Sequence, residues 1–411
     1  MNETNPHHPP QGTGETRYLT TSIPFVNAAP HIGFALEMIQ ADCLARLYRL
    51  RGHRVRLQAG ADENSLKNVL AAEAAGLPVD VFVRRNAERF RALKPALNLS
   101  TDDFLRTSCS RRHLDGVDRL WAACAASGDI YKRAYSGLYC IGCEQFYKPT
   151  ELTDGRCPEH GTKPERVEED NYFFRLSRYQ APLRDALLSR RLEIVPERRR
   201  NEVLAWIDAG LEDFSISRSA TRARGWGIPV PGDPDQVIYV WFDALGNYIT
   251  ALGYGDDNPR LSTFWRGADA REHVIGKGIT RFHALYWPAM LLSVGLPLPT
   301  RIFVHGYVTV DGRKIGKSAG NAIDPVPLAE ALGADALRYY LLRHVRSTED
   351  GDFSQARFRQ AYRSELAGQL GNLAHRICSM IERYCGGVIP RASIETDASA
   401  ALARISHGGT V

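Results

Sequence analysis

No stretch of the 411 residues approaches the run of about 18 apolar residues that a membrane-spanning helix requires. The first residues, Met1 to Glu15, are rich in Pro, Gly and His and lack the apolar centre of a secretory leader. A membrane anchor and a secretory route are therefore not expected, and the cytoplasm is the default location. Cysteine is sparse too, since eight in a chain this long cannot form the framework of a disulfide-stapled domain. Charge of one sign does not dominate either: 52 Lys and Arg against 47 Asp and Glu leave +5, weak evidence for a polyanionic partner on a protein of this size. What the chain does have is 44% hydrophobic and 24% charged residues, enough to bury a large core over two or three domains.

The stretch from Tyr18 to Asn64 organises the rest. Tyr18 to Ile23 is a short β-type run, and the Pro- and Asn-punctuated segment Pro24 to Pro30 suits an abrupt turn. From Leu36 the apolar residues Ile39, Cys43, Leu47 and Leu50 fall at helical steps, and Gly52 supplies the stop. Val55 to Gly60 reads as a second strand. In such a strand–helix–strand unit the helix N-terminus faces the carboxyl edge of the sheet, where its free N–H groups and dipole attract phosphate. His31 can add a hydrogen bond there and Gly33 permits close approach, so the stretch reads as half of an ATP site.

Leu66 to Ala75, Pro78 to Leu97 and Arg112 to Gly128 read as covering helices, and Tyr131 to Tyr139 as short strand. Cys140 and Cys143, then Cys157 and His160, form two pairs of knuckle spacing. Four such donors close a tetrahedron around a structural zinc with no position left for substrate; the plain alternative is two chance pairs of reduced cysteines. A metal there would fold an insertion too small for a core of its own. The triplet Arg198 to Arg200 reads as a solvated face, with nucleic-acid contact as the other reading. Gln236 to Trp241 alternates as a buried strand, with a turn at Asp243-Ala244-Leu245. His273 to Gly276 is another strand, Ile279 to Leu292 a helix, and Arg301 to Val310 a further strand region. Strands alternating with helices on both sides of the knuckle imply a doubly wound parallel α/β sheet interrupted by a zinc-bearing insertion. In the loop Asp311 to Asn321, Lys314 and Lys317 make a cationic clamp for a transferring phosphoryl group. Beyond Asp352, Phe358, Tyr362, Leu366, Leu370, Leu373, Ile377, Ile381 and Tyr384 mark one amphipathic helix, ended by Gly386-Gly387. Val388 to Val411 could add at most a short helix over Ala398 to Ile405.

From Arg17 to Gly387 the chain resembles bacterial class I methionyl-tRNA synthetases. Pro30-His31-Ile32-Gly33-Phe34 and Lys314-Ile315-Gly316-Lys317-Ser318 stand at the family's two signatures. Trp226-Gly227-Ile228-Pro229, Val240-Trp241-Phe242-Asp243-Ala244-Leu245, Phe282-His283-Ala284-Leu285-Tyr286-Trp287-Pro288 and His305-Gly306-Tyr307-Val308 agree almost letter by letter. The resemblance implies activation of methionine, or a related amino acid, by Mg2+-bound ATP to an aminoacyl-adenylate, followed by transfer to tRNA. It implies phosphate and nucleotide contacts by His31, Gly33, Gly276, Lys277, His305, Lys314, Lys317 and Ser318, with His31, Lys314 and Lys317 the catalytic set. Ile23, Phe25, Trp241, Tyr248, Phe282, His283 and Trp287 would line the amino-acid pocket, and Asp62 would take the ammonium group; an aromatic cage also suits a thioether. The implied organisation is a disordered tail over 1–16 and a Rossmann-type half over 17–132. A knuckle insertion over 133–200, the second half over 201–300, a lysine-loop and stem-contact region over 301–352 and a helical segment over 353–411 complete it.

Four departures stand out against the family pattern. Phe34 replaces a histidine, Gly278 an aspartate that contacts the ATP ribose, Asn64 a histidine, and Phe25 a pocket tyrosine. Loss of one preorganised donor costs on the order of 100-fold in rate. In the family the last helix opens an anticodon-reading bundle, of which one helix and a tail remain in this sequence. Two rival readings follow: a tRNA-independent paralogue that activates an amino acid for small-molecule biosynthesis, and a catalytically degenerate interaction module. The sequence carries no signal for oligomeric state.

Overall fold

The protein, in a computed structural model, is described over residues 14–256, 258–315 and 320–389. Two compact units divide at Ser354 and Gln355. Residues 1–13 of the tail expected over 1–16, the residues Lys317 and Ser318, and the helix expected over 398–405 lie outside the described residues, while Thr16, at the end of that expected tail, already belongs to a strand.

The first unit is built on six parallel strands: β1 (Thr16–Thr21), β2 (Arg54–Ala61), β3 (Asp103–Arg106), β4 (Glu193–Val195), β5 (Ala270–Gly276) and β6 (Arg301–His305). Their order across the sheet is β3-β2-β1-β5-β6-β4, with Thr20 opposite His273 and Gly276 opposite His305. Alternation along β1 sends its side chains to two cores. Leu19 packs with Ala41, Ala45, Leu57 and Val274 beneath helix α1 (Ile32–Leu50). Tyr18 points the other way, into the large core formed with α2 (Arg111–Ala126) and α3 (Val240–Thr250), where Leu120, Trp121, Phe242, Leu245, Trp265 and Trp287 are all buried. Both faces are covered, which is what a parallel sheet requires.

The structure corrects three expectations. The strand expected over Gln236 to Trp241 runs from Asp233 to Ile238, and Trp241 and Asp243 to Leu245 lie in α3. All eleven residues of α3 are buried, and an apolar run with no polar face has no period to separate helix from strand. The strand region expected over Arg301 to Val310 breaks at Gly306, where a Cβ would meet the backbone of Glu349 at 2.1 Å. Val308–Val310 then joins a separate sheet with Arg313–Lys314 and Gly351–Phe353. The expected insertion, 133–200, returns its end to the central sheet, because Glu193–Val195 pairs with β6. The inserted body is a hairpin of Ile130–Cys140 with Glu165–Phe174, flanked by Gln145–Tyr147 and Phe214–Ser215.

The second unit is helical from Gln355 to Cys385, through a wide-turned stretch at Tyr362–Gly371, and ends at Gly386, which takes the left-handed conformation that glycine favours. Leu370, Leu373, Ile377, Met380 and Tyr384 are exposed on it.

Candidate active site

A cleft of about 640 Å³ opens at the carboxyl ends of β5 and β6, where open α/β sheets bind ligands. Of the residues singled out in the sequence, Phe25, His31, Gly33, Trp241, Gly276, Lys277, Phe282, His305 and Lys314 line it. The turn before α1 delivers His31 as the helix cap: its Nδ1 accepts the Gly33 N–H at 3.1 Å. Burial holds the His31 imidazole below its ordinary pKa. With Nδ1 accepting, the neutral ring carries its proton on Nε2, a donor beside the N–H groups of a helix N-terminus. A Cβ at Gly33 would lie 3.0 Å from His31 Cε1 and crowd the capping ring.

One turn into α1, Glu37 is buried in the floor of the cleft. Its carboxylate accepts from Ser22 N–H at 2.8 Å and Ser22 Oγ at 2.6 Å, and meets His305 Nε2 at 2.9 Å. This clamp ties β1, α1 and β6 together, and sequence reading missed Glu37. The available signal was a lone acid within the buried run Leu36 to Ile39. Lys277 pairs with Asp350 at 2.7 Å, and Lys314 reaches the Glu159 carbonyl at 3.2 Å and its carboxylate at 3.4 Å.

The aromatic end is built by α3 and the helix after β5. Trp241 stacks on Phe282, centroids 3.8 Å apart and 6° from parallel, and meets Phe25 edge-on at 6.0 Å. Tyr248, His283 and Trp287 do not line the cleft but form a buried layer behind it. The Tyr248 hydroxyl lies 2.7 Å from His283 Nε2, whose Nδ1 is 3.0 Å from the Ile279 carbonyl. Trp287 Nε1 donates to His273 Nε2 at 3.1 Å. Ile23, half-buried, fills the space over Gly60.

Asp62 is likewise one layer back, at 1% exposure, with its backbone bridged to Phe25. Burial, then the carboxyl of Asp243, push it well above the ordinary carboxylate range. Asn64 connects the two acids: its N–H faces Asp62 Oδ1 at 3.4 Å and its side chain donates to Asp243 Oδ2 at 2.7 Å. The other Asp243 oxygen meets His113 Nε2 at 2.8 Å. Asn64 thus makes a hydrogen bond that an amide can supply, while Asp243 and His113, both fully buried, were missed because their spacing of 130 residues hides the pair.

Phe34 packs edge-on against Phe90 at 5.2 Å and borders a cluster of Val26, Ala61 and Val83, so that its ring extends a small core to the edge of the cleft. Arg199 and Arg200 are half-buried and pair with Glu202 and Glu197 on their own helix, and Arg200 also donates to the Leu187 carbonyl at 3.2 Å.

The knuckle residues converge. The ligand atoms of Cys140, Cys143, Cys157 and His160 all lie within 4.8 Å of one another, and Cys143 Sγ is 3.4 Å from Cys157 Sγ and 3.2 Å from His160 Nδ1. Edges of that size suit a tetrahedral zinc with ligand distances of about 2.0–2.3 Å. Protein purified without chelator is expected to carry about one zinc per chain, and Cys157→Ser to lose it; elemental analysis that finds zinc retained in that variant would contradict the assignment.

This sheet, its helix-capping histidine and its lysine-bearing loop define the catalytic body of a class I aminoacyl-tRNA synthetase. The family model described as tRNA synthetases class I (M) matches residues 17–162 and 142–378, and the chain belongs to that family. The Methionine--tRNA ligase of Brucella suis biovar 1 (strain 1330) is 44% identical over 392 residues, 94% of this chain and 75% of that protein. That of Mycobacterium bovis (strain ATCC BAA-935 / AF2122/97) is 45% identical over 395 residues, 95% of this chain and 75% of its own length. The solved Mycobacterium tuberculosis methionyl-tRNA synthetase in complex with methionyl-adenylate superposes with a TM-score of 0.88 at 44% identity, over 96% of this chain and 77% of that one.

Proposed function

We propose that the chain activates methionine with ATP, forming methionyl-adenylate and pyrophosphate, and transfers the methionyl group to tRNA. The observation that carries this reading is one cleft joining a stacked aromatic end to a helix N-terminus capped by a neutral, Nε2-protonated histidine. The thioether sits against Trp241, Phe282 and Phe25, where sulfur–aromatic contacts favour it. Asp62 takes the ammonium group. The amino-acid carboxylate attacks the α-phosphate, the bond to the β-phosphate breaks, and pyrophosphate leaves with its electron pair. His31 Nε2–H and the ammonium groups of Lys314 and Lys317, with the hydroxyl of Ser318, hold the phosphates through this step. Lys277, Gly276 and His305 border the nucleotide. Mg2+, bound to ATP, would neutralise phosphate charge; no protein nucleophile is needed, since positioning and fixed charge lower the barrier.

The test is methionine-dependent exchange of pyrophosphate into ATP, followed by charging of methionine tRNA. Exchange and charging are both expected. Exchange without charging would establish a second reading, activation without transfer. No exchange with methionine or any other amino acid would overturn both.

A further inference from the structure

Behind the aromatic end of the cleft, two buried acids share one asparagine. Asp62 follows β2 and is 1% exposed, while Asp243 stands fully buried in the first turn of α3. Asn64 touches both: its backbone N–H faces Asp62 Oδ1 at 3.4 Å, and its side-chain amide donates to Asp243 Oδ2 at 2.7 Å. The two carboxyls are not equally served. Asp243 accepts at both oxygens, since His113 Nε2, in the first turn of α2, lies 2.8 Å from its Oδ1. Its place in the first turn of a helix also favours negative charge. Among the described residues the Asp62 carboxyl has only the long contact with the Asn64 N–H. Of two like acids so placed, the better-bonded one carries the charge and the other holds a proton.

The remaining charged and titratable groups around this pair are engaged with other partners. Glu63 accepts from Arg106 Nε at 2.7 Å. Glu144, from the turn of the knuckle, accepts from Ser65 Oγ at 2.8 Å and from the Lys67 N–H at 3.2 Å. The Tyr248 hydroxyl lies 2.7 Å from His283 Nε2, and the Lys67 ammonium group stands 4.7 Å from the centre of the Phe25 ring. On the far side of His113, Nδ1 meets the buried Thr250 Oγ1 at 2.7 Å. Burial raises the Asp62 pKa most and Asp243 next, with Glu144 and Glu63 behind them and the Asn64 N–H opposing.

We propose that Asp243 is a positioning residue for methionine: fixed at both oxygens by Asn64 and His113, its charge acts on Asp62 across Asn64 and sets the pH range over which Asp62 takes the ammonium group. The inference rests on the reading of Asp62 as the ammonium site. In the free protein the proton stays on Asp62. When methionine binds, its ammonium group brings the compensating charge, Asp62 ionises, and the proton leaves to solvent.

The experiment compares wild type, Asp243→Asn, His113→Gln, His113→Leu and Asp62→Asn as a function of pH. Two readouts are taken: the KM for methionine in exchange, and the Kd for methionine alone by calorimetry. Asp243→Asn keeps the shape of the site, because the amide can accept from Asn64 and donate to His113 Nε2, whose proton then moves to Nδ1 and faces Thr250. With the charge gone, methionine affinity should rise at lower pH than in wild type. On the acid side of the wild-type profile both constants should fall by about tenfold. On the alkaline side they should be no lower than in wild type. His113→Gln, whose amide can donate to the same oxygen, should keep the wild-type profile. His113→Leu leaves that oxygen buried without a donor, so Asp243 takes up a proton and the profile should move as in Asp243→Asn. A wild-type profile in Asp243→Asn, or a loss equal at every pH as a merely structural role gives, would overturn the proposal. So would a wild-type profile in His113→Leu; if that variant does not fold, Asp243→Asn decides. Wild-type methionine affinity in Asp62→Asn would remove the ammonium site itself. Affinity lost in Asp62→Asn but an unmoved profile in Asp243→Asn would remove the role of Asp243 alone.

Discussion

Replacing Asp62 with Asn is expected to raise the KM for methionine by about two orders of magnitude or more, with the KM for ATP within about twofold of wild type. The buried carboxyl lies one layer behind the aromatic end of the cleft, with its backbone bridged to Phe25. Removing one partner of a buried charge pair costs roughly 2–5 kcal/mol, and each ~1.4 kcal/mol is tenfold in affinity. The pH dependence has a definite sign. Asp62 has a folded pKa raised above its unfolded value by burial and by Asp243, so its contribution to stability is full below the ordinary aspartate pKa and is lost as pH rises through the raised one. An ammonium group bound beside it favours the ionised form, so methionine binding expels a proton while Asp62 is protonated in the free protein. Methionine affinity therefore rises with pH up to the raised pKa, and calorimetry in buffers of different ionisation enthalpy should detect proton release. In Asp62→Asn both the pH slope and the release should vanish; a variant that keeps wild-type methionine affinity would remove Asp62 from the ammonium site.

Much of this arrangement was legible in the residues because local rules governed it. The turn before α1, the helical stripe, and Gly52 at its end are set by steps of three and four and by turn residues, and β1, α1 and β2 formed within a few residues of expectation. The knuckle was legible for the same reason, since each ligand pair sits on one tight turn. Trp241 illustrates the opposite case: in a run buried on every side, neither face is polar and the period carries no information, so a helix was read as a strand. The clamp of Glu37 on Ser22 and His305, and the chain from Asn64 through Asp243 to His113, join residues 15 to 268 positions apart. Such contacts are products of topology. The departures read as losses changed meaning for the same reason: Asn64 bonds Asp243, Phe34 packs on Phe90, and Gly278 makes space for Tyr307.

The layer behind the aromatic end sets the acid limit of the fold. Burial lowers His283 from its ordinary 6.5 to about 4, and it lowers His273 well below its ordinary value, with His283 adding to the effect. The hydrogen bonds demand neutral rings. Trp287 Nε1 can only donate, so His273 Nε2 accepts, and its proton on Nδ1 faces Thr20 Oγ1 at 2.6 Å. His283 donates from Nδ1 to the Ile279 carbonyl and accepts the Tyr248 hydroxyl at Nε2. Because the folded pKa values are depressed, this contribution to stability is complete above about pH 6.5 and is lost as pH falls toward the folded values. A shift from 6.5 to about 4 corresponds to roughly 3 kcal/mol for His283, on the order of a single buried side chain and a large part of a domain's net stability. Asp62, with its raised pKa, acts in the opposite direction as pH falls, so the net slope is smaller than the histidines alone would give. The thermal midpoint is expected to decline by several degrees between pH 6.5 and 4.5, and in His283→Gln, which cannot take up a proton, the decline should be shallower while the midpoint at pH 7.5 is lower. The slope of the variant is the deciding measurement: if it matches wild type, protonation of the buried layer is not what unfolds the protein in acid.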